Sequence, residues 1–124
     1  MSLKSALALP YARHITRKVQ QRAADPVATQ AAVLAQLVRF ANDTRFGREH
    51  RLHEVRTHTE LLQAVPLRDY EGFKPYIDRI LFGEEDGLCP GKPLYLCKTS
   101  GTTSGAKDIP ITKESQPTHI GSAR

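Results

Sequence analysis

A run of serine, threonine and glycine residues that ends in lysine is the part of this sequence whose residue types could do chemistry. Glycines let successive backbone amides point at one anionic oxygen, hydroxyl groups donate further hydrogen bonds, and a lysine ammonium adds positive charge. These residue types therefore suit binding of the phosphate oxygens of a nucleotide triphosphate. From composition alone, however, a flexible hairpin connection whose polar side chains only solvate the backbone is the favoured interpretation. The run consists of Ser100, Gly101, Thr102, Thr103, Ser104, Gly105, Ala106 and Lys107.

The spacing of this run excludes the Walker phosphate loop. A GxxxxGK[ST] pattern counted from Gly101 requires glycine at the position of Ala106 and serine or threonine at the position of Asp108. The kinase and GTPase classes that depend on that loop are therefore excluded.

Two short apolar runs are expected to form the strands on either side of the run. They are Leu94 to Cys97, with the Cys97 thiol expected to be buried, and Ile109 to Ile111. Pro110 has no amide donor, so the second strand is expected to lie at an edge. Thr112 and Pro117 then predict the start of a helix.

The chain before the first strand is predicted to be helical. Asp25 and Pro26 are typical of a helix start, because an aspartate caps free amides and proline suits the first helical position. The apolar residues that follow have helical spacing, and Gly47 is expected to end this part. The apolar positions are Ala31, Leu34, Leu37, Val38 and Ala41.

Two further helices are predicted from caps and prolines. One covers Thr59 to Ala64 and is limited by Pro66. The other begins after the cap residue Asp69, and Pro75 predicts a kink or a division into two pieces.

The net charge of +5 is carried by the N-terminal half. Residues 1–58 contain ten lysines and arginines against four acidic residues, whereas residues 59–124 contain eight against nine. A basic stripe on the first helix could meet nucleic acid or anionic lipid, but it has no interleaved aromatic residues or nucleic-acid motif, so a solvated face is favoured. The stripe is formed by Arg13, Arg17, Lys18 and Arg22.

Composition and the remaining clusters narrow the function classes. No apolar run approaches the roughly 18 residues of a membrane span, and two cysteines without a leader pattern favour a cytoplasmic protein. His50, His53 and His58 lie near Glu49 and Glu54, but their spacing matches no recognised metal site. No metal site is expected.

Several segments, taken in their order along the chain, resemble the N-terminal region of the auxin-responsive acyl acid amido synthetases, the Gretchen Hagen family of the acyl-adenylate-forming superfamily. The central one, residues 99–107, is similar to the superfamily's phosphate-binding signature. The resemblance spans roughly residues 40–124, and the other segments are Phe46 to His50, Val65 to Tyr70, Pro75 to Ile77, Gly83 with Glu84, Pro90 to Tyr95 and Ile109 to Thr112.

The resemblance implies a ligase that uses ATP and Mg²⁺ to convert a carboxylic acid to an acyl-adenylate, from which an amino acid's amine displaces AMP. Lys107 would neutralise charge as pyrophosphate leaves. No catalytic residue and no metal ligand is assigned within this chain. The β- and γ-phosphates would be held by the side chains of Ser100, Thr102, Thr103 and Ser104 and by the amides of Gly101 and Gly105.

The expected fold class is α/β: an N-terminal fragment of an adenylate-forming domain, mostly helical, with a short β-hairpin around the loop. Residues 1–24 form a basic helical leader, 25–92 a helical region and 93–112 the strand-loop-strand hairpin. Residues 1–124 are expected to be inactive alone. The alternatives are a non-catalytic remnant or partner-binding helical module, and an adenylating enzyme of the acyl-CoA ligase type.

Overall fold

The computed structural model describes residues 3–101 and 105–122. These residues form mostly helices together with one two-stranded antiparallel sheet. In chain order the elements are α1 (Leu3–Ala24), α2 (Pro26–Ala41), α3 (Arg45–Glu49), a 3₁₀ turn (Leu52–Glu54), α4 (His58–Ala64), α5 (Tyr70–Leu81), β1 (Tyr95–Lys98), β2 (Asp108–Ile111) and α6 (Gln116–Ser122).

The boundary between α1 and α2 confirms the predicted cap. The Asp25 carboxylate accepts a hydrogen bond from the Ala28 amide at 2.9 Å, and Pro26 is the first helical residue. The four basic residues of the stripe on α1 are exposed to solvent. Within the described ranges, no helix combines the length and the apolar character needed to cross a membrane.

The main apolar cluster lies where α2, the 3₁₀ turn and α4 meet. Val38, Leu52 and Val55 are its buried members. Half-buried side chains pack around them, including Leu34 and Ala41 from the predicted stripe of α2. Leu37, in contrast, is exposed, so only part of that stripe faces the cluster.

Gly47 does not end a helix as the sequence predicts; it lies buried inside α3. The preceding helix ends at Ala41, and Thr44 caps α3 by accepting a hydrogen bond from the Gly47 amide at 3.0 Å. The Thr44 hydroxyl also donates to the Ala41 carbonyl at 2.6 Å. The physical reason for glycine is therefore close approach of the backbone of α3 to the end of α2.

The predicted cap of α5 is confirmed, but the predicted division of this helix at Pro75 is not. Thr57 and Glu60 form a capping box at α4, and Asp69 caps α5 through the Gly72 amide at 3.1 Å. Helix α5 continues through Pro75 as one element. A proline ring there removes a single amide donor, and the carbonyl that loses its partner belongs to exposed Glu71 near the helix start.

The two strands pair as the predicted hairpin. Their register places Tyr95 opposite Ile111 at one end and Lys98 opposite Asp108 at the loop end. Cys97 is exposed, so its predicted burial is wrong, because a two-stranded sheet leaves one face open. Helix α6 begins at Gln116, later than Thr112, because Thr112 and Ser115 hydrogen bond each other's amides in a turn.

Candidate phosphate-binding loop

The hairpin loop is closed at its neck by Thr99 and Lys107. The Thr99 amide donates to the Lys107 carbonyl at 3.0 Å, and the Lys107 amide donates to the Thr99 hydroxyl at 3.1 Å. The closure follows directly on the last strand pair, Lys98 with Asp108. Residues 99–107, which we call the loop, are therefore held at both ends by hydrogen bonds between the same two residues.

Just above the neck, Gly101 and Gly105 approach each other closely. Both have positive φ, +39° and +81°, a conformation that favours glycine. A Cβ atom on Gly101 would lie 2.2 Å from the carbonyl carbon and oxygen of Gly105, whereas a Cβ on Gly105 would meet nothing within 4 Å. The two glycines thus have different roles: the first permits the close approach, and the second permits only a turn.

The structure brings together part of the predicted site. Ser100 is exposed, and Lys107 is half-buried with Gly101 beside the neck. Gly105 is exposed on the opposite side of the loop. The predicted residues Thr102, Thr103 and Ser104 lie outside the described residues, so their roles stay predictions.

Tyr70, the first residue of α5, contacts the loop exit and was missed by sequence reasoning. Its hydroxyl accepts a hydrogen bond from the Asp108 amide at 2.9 Å. The Lys107 Nζ lies 5.7 Å from the centre of the Tyr70 ring, within the range of a cation–π contact. The signal available in the sequence was indirect: Tyr70 directly follows the cap residue Asp69, which fixes its position on the helix.

An aromatic cluster sets the position of α5 relative to α3. The Arg68 guanidinium lies 5.8 Å from the Phe46 ring centre and 5.5 Å from that of Phe73. Its Nη2 is 2.8 Å from Nε2 of His50, whose ring stacks on Phe46. An arginine always donates, so His50 Nε2 accepts, and its Nδ1 carries the proton and donates to the Phe46 carbonyl.

Charged pairs reinforce the same junction. Tyr76, on α5, donates a hydrogen bond to the Glu49 carboxylate. This bond, followed by the one from Arg45, holds the pKa of Glu49 below its usual value. Arg45 also contacts Glu84 at 3.0 Å and lowers the pKa of that carboxyl. These exposed pairs are individually weak, so they orient the junction more than they stabilise it.

Backbone hydrogen bonds connect the segment after α5 with the start of α3. The amides of Arg45 and Phe46 donate to the carbonyls of Asp86 and Gly87 at 2.6 and 3.1 Å. These bonds satisfy two of the free amides at the N-terminus of α3. The chain therefore reaches β1 from a fixed position beside the helices.

The histidines and cysteines of the described residues are the remaining candidates for chemistry. His50 is the C-cap that follows α3, Arg51 has a φ of +51°, and His53 lies in the 3₁₀ turn, so the two histidines do not share a helix. Among the residues that the structure describes, no group of three or more metal-ligating side chains is found. Cys89 is buried, which raises the pKa of its thiol, and Cys89 and Cys97 are both free.

Comparison with known proteins identifies the family. Residues 15–123 match the model of the GH3 family N-terminal domain. The matched range contains the helices from α2 onward, the hairpin and the loop. The chain belongs to the GH3 family.

Two curated relatives come from rice, Oryza sativa subsp. japonica. The chain is 43% identical over 54 residues to a probable indole-3-acetic acid-amido synthetase, GH3.13. The matched segment covers 42% of this chain and 12% of the relative. It is 32% identical over 91 residues to another protein of that description, GH3.2, covering 72% of this chain and 15% of the relative. The matched segments therefore span less than a sixth of those relatives. No solved structure gives a significant match.

Proposed function

We propose that this chain supplies the phosphate-binding loop of an ATP-dependent acyl acid amido synthetase. The enzyme is proposed to be cytoplasmic and to bind ATP, a carboxylic acid and an amino acid. Neither nucleic acid nor a membrane is proposed as a partner. The observation that carries the proposal is the family match over residues 15–123, which includes the loop. The curated relatives are described as amido synthetases. The whole reaction is assigned to the full-length protein, and residues 1–124 alone are proposed to be inactive.

The proposed reaction has two balanced steps. A carboxylate oxygen of the acid attacks the α-phosphorus of ATP, which forms the acyl-adenylate and releases pyrophosphate. The amine of the amino acid then attacks the acyl carbon, which forms the amide and releases AMP together with a proton. Only the first step develops extra negative charge on the β-phosphate oxygens, and it is there that a cation and aligned donors lower the barrier.

The loop suits that first step. The Ser100 hydroxyl and the amides around Gly101 and Gly105 would donate to the β- and γ-phosphate oxygens, together with Thr102, Thr103 and Ser104. The close approach of Gly101 to Gly105 supports this role, since it leaves no side chain between the two backbone segments. The Lys107 ammonium would offset the charge on the departing pyrophosphate.

Mg²⁺ would enter with ATP, since it prefers phosphate oxygens and water over a complete protein cage. In the described part of the chain, the loop offers hydroxyl groups and one carboxylate, Asp108, at its exit. This donor set fits an ion carried by the nucleotide. The chemistry that the ion supplies is neutralisation of phosphate charge.

An adenylating enzyme of the acyl-CoA ligase type is the second candidate, because both classes form an acyl-adenylate. The descriptions of the rice relatives favour amide formation with an amino acid. The two candidates differ in the second nucleophile, a thiol or an amine, so supplying each in turn to the full-length protein separates them.

The loop assignment predicts the outcome of pyrophosphate exchange. The full-length protein that carries residues 1–124 is expected to exchange labelled pyrophosphate into ATP only when a suitable acid is present. Lys107→Ala removes the cation and is expected to lower the exchange rate about 100-fold, and Ser100→Ala, which removes one neutral donor, about tenfold. Lys92→Ala, at an exposed lysine before β1, is the matched control and is expected to be near wild type. Undiminished exchange in Lys107→Ala and Ser100→Ala would overturn the assignment.

A further inference from the structure

The contact between Tyr70 and the loop exit joins two parts of the chain that are 38 residues apart. It involves consecutive residues: the hydroxyl meets the Asp108 amide, and the ring meets the Lys107 ammonium. Thr99, the residue after β1, makes separate hydrogen bonds with the amide and the carbonyl of Lys107. The backbone of Lys107 is therefore held by Thr99, and that of the next residue, Asp108, by Tyr70.

We propose that Tyr70 is a positioning residue for the loop, whose ring holds the Lys107 ammonium and whose hydroxyl fixes the start of β2. This inference rests on the proposed role of Lys107 in binding the phosphates of ATP. A lysine side chain has many rotamers, and contact with an aromatic face reduces their number before the nucleotide arrives. An ammonium has three N–H donors, so a ring on one side leaves donors free for phosphate oxygens.

The position of Tyr70 is fixed by the residues that precede it. Asp69 caps α5 at the residue before it, so the tyrosine begins the helix in a fixed orientation. Arg68, one residue earlier, contacts Phe46, Phe73 and His50. The junction between α3 and α5 therefore determines where the ring meets Lys107.

Two substitutions separate the groups of Tyr70. Tyr70→Phe removes the hydroxyl and keeps the ring, and Tyr70→Leu removes both. In exchange assays of the full-length protein, we expect Tyr70→Phe to lower kcat/KM for ATP by about fivefold. Tyr70→Leu is expected to lower it by a further factor of about two to five. Tyr95→Leu, at the far end of the hairpin, is the control and is expected to remain within twofold of wild type.

The decisive measurement is the difference in kcat/KM between Tyr70→Phe and Tyr70→Leu, taken once with Lys107 present and once with Lys107→Ala in both variants. If the ring acts through the ammonium, this difference disappears with Lys107→Ala, whereas a merely structural effect persists there. An equal difference with and without Lys107, or no difference with Lys107 present, would overturn the inference. The proposed function fails separately, through absent acid-dependent exchange or an undiminished rate in Lys107→Ala. Tyr70→Phe is expected to fold and to unfold cooperatively, with a melting temperature lowered only by the loss of one hydrogen bond, which keeps the comparison free of misfolding.

Discussion

Gly47→Ala is expected to destabilise the fold by about 3 kcal/mol or more. A Cβ at this position would lie 2.0 Å from the Ala41 carbonyl oxygen and 2.7 Å from that of Asn42. Both atoms belong to the backbone at the end of α2, so the clash cannot be relieved by turning a side chain. Relief requires α3 to move from α2, which would break the hydrogen bonds of Thr44 to both helices. Urea or thermal unfolding measures the effect.

Gly87→Ala is the matched control, because Gly87 is also buried. Its added Cβ would come no closer than 3.4 Å to a heavy atom, Cγ1 of Ile80, which is ordinary contact. We expect this variant to lie within about 1 kcal/mol of wild type, and to gain some stability from the lower entropy of its unfolded chain. Equal unfolding midpoints for the two variants would contradict the close packing of α3 on α2.

Gly101→Ala is expected to have the largest effect on the loop. The new Cβ would fall 2.2 Å from backbone atoms of Gly105, and the φ of +39° is itself strained for alanine. The two sides of the loop must separate, so the donors that we propose for the phosphate oxygens are displaced together. We expect pyrophosphate exchange by the full-length protein to fall at least 100-fold, in line with the removal of oriented donors from a charged transition state.

Gly105→Ala provides the comparison for that loss. Its φ of +81° costs alanine roughly 1–2 kcal/mol, but the added methyl group meets no atom within 4 Å. A decrease of about tenfold is therefore expected. Both variants should still fold and unfold cooperatively, with a midpoint lowered only by this local strain, because neither glycine belongs to the apolar cluster. A rate for Gly101→Ala equal to that of Gly105→Ala would show that the close approach does not matter.

Local signals predicted much of the fold. The caps at Asp25 and Asp69, the limits of α4 and the two strands follow from neighbouring residues, whose effects reach only a few positions along the chain. The family match likewise agrees with the sequence resemblance, which rested on ordered segments around the loop.

The errors arose where the packing of one element against another, or its absence, decides the outcome. Gly47 has the residue type of a helix stop, yet its function is to let α3 contact the carbonyls of α2. Cys97 is in an apolar run typical of a buried strand, but the described sheet has no layer covering that thiol. Neither effect is encoded in the spacing of nearby residues.

The candidate site shows the same division. The residue types of Ser100, Gly101 and Lys107 predict phosphate chemistry without a structure. The contribution of Tyr70 requires the folded chain, since only the packing of α5 beside β2 brings its ring to Lys107. Residues 65–70 are one of the segments that resemble the family, but no spacing rule connects this segment with the loop.

We propose that this chain belongs to an enzyme that activates acids by adenylation. Identifying the nucleotide product of the full-length protein, supplied with ATP, Mg²⁺, a carboxylic acid and an amino acid, tests it most directly. We expect AMP and pyrophosphate, formed in equal amounts with the amide and dependent on the acid. Amide formation accompanied by ADP and inorganic phosphate would mean activation through an acyl phosphate and would contradict it.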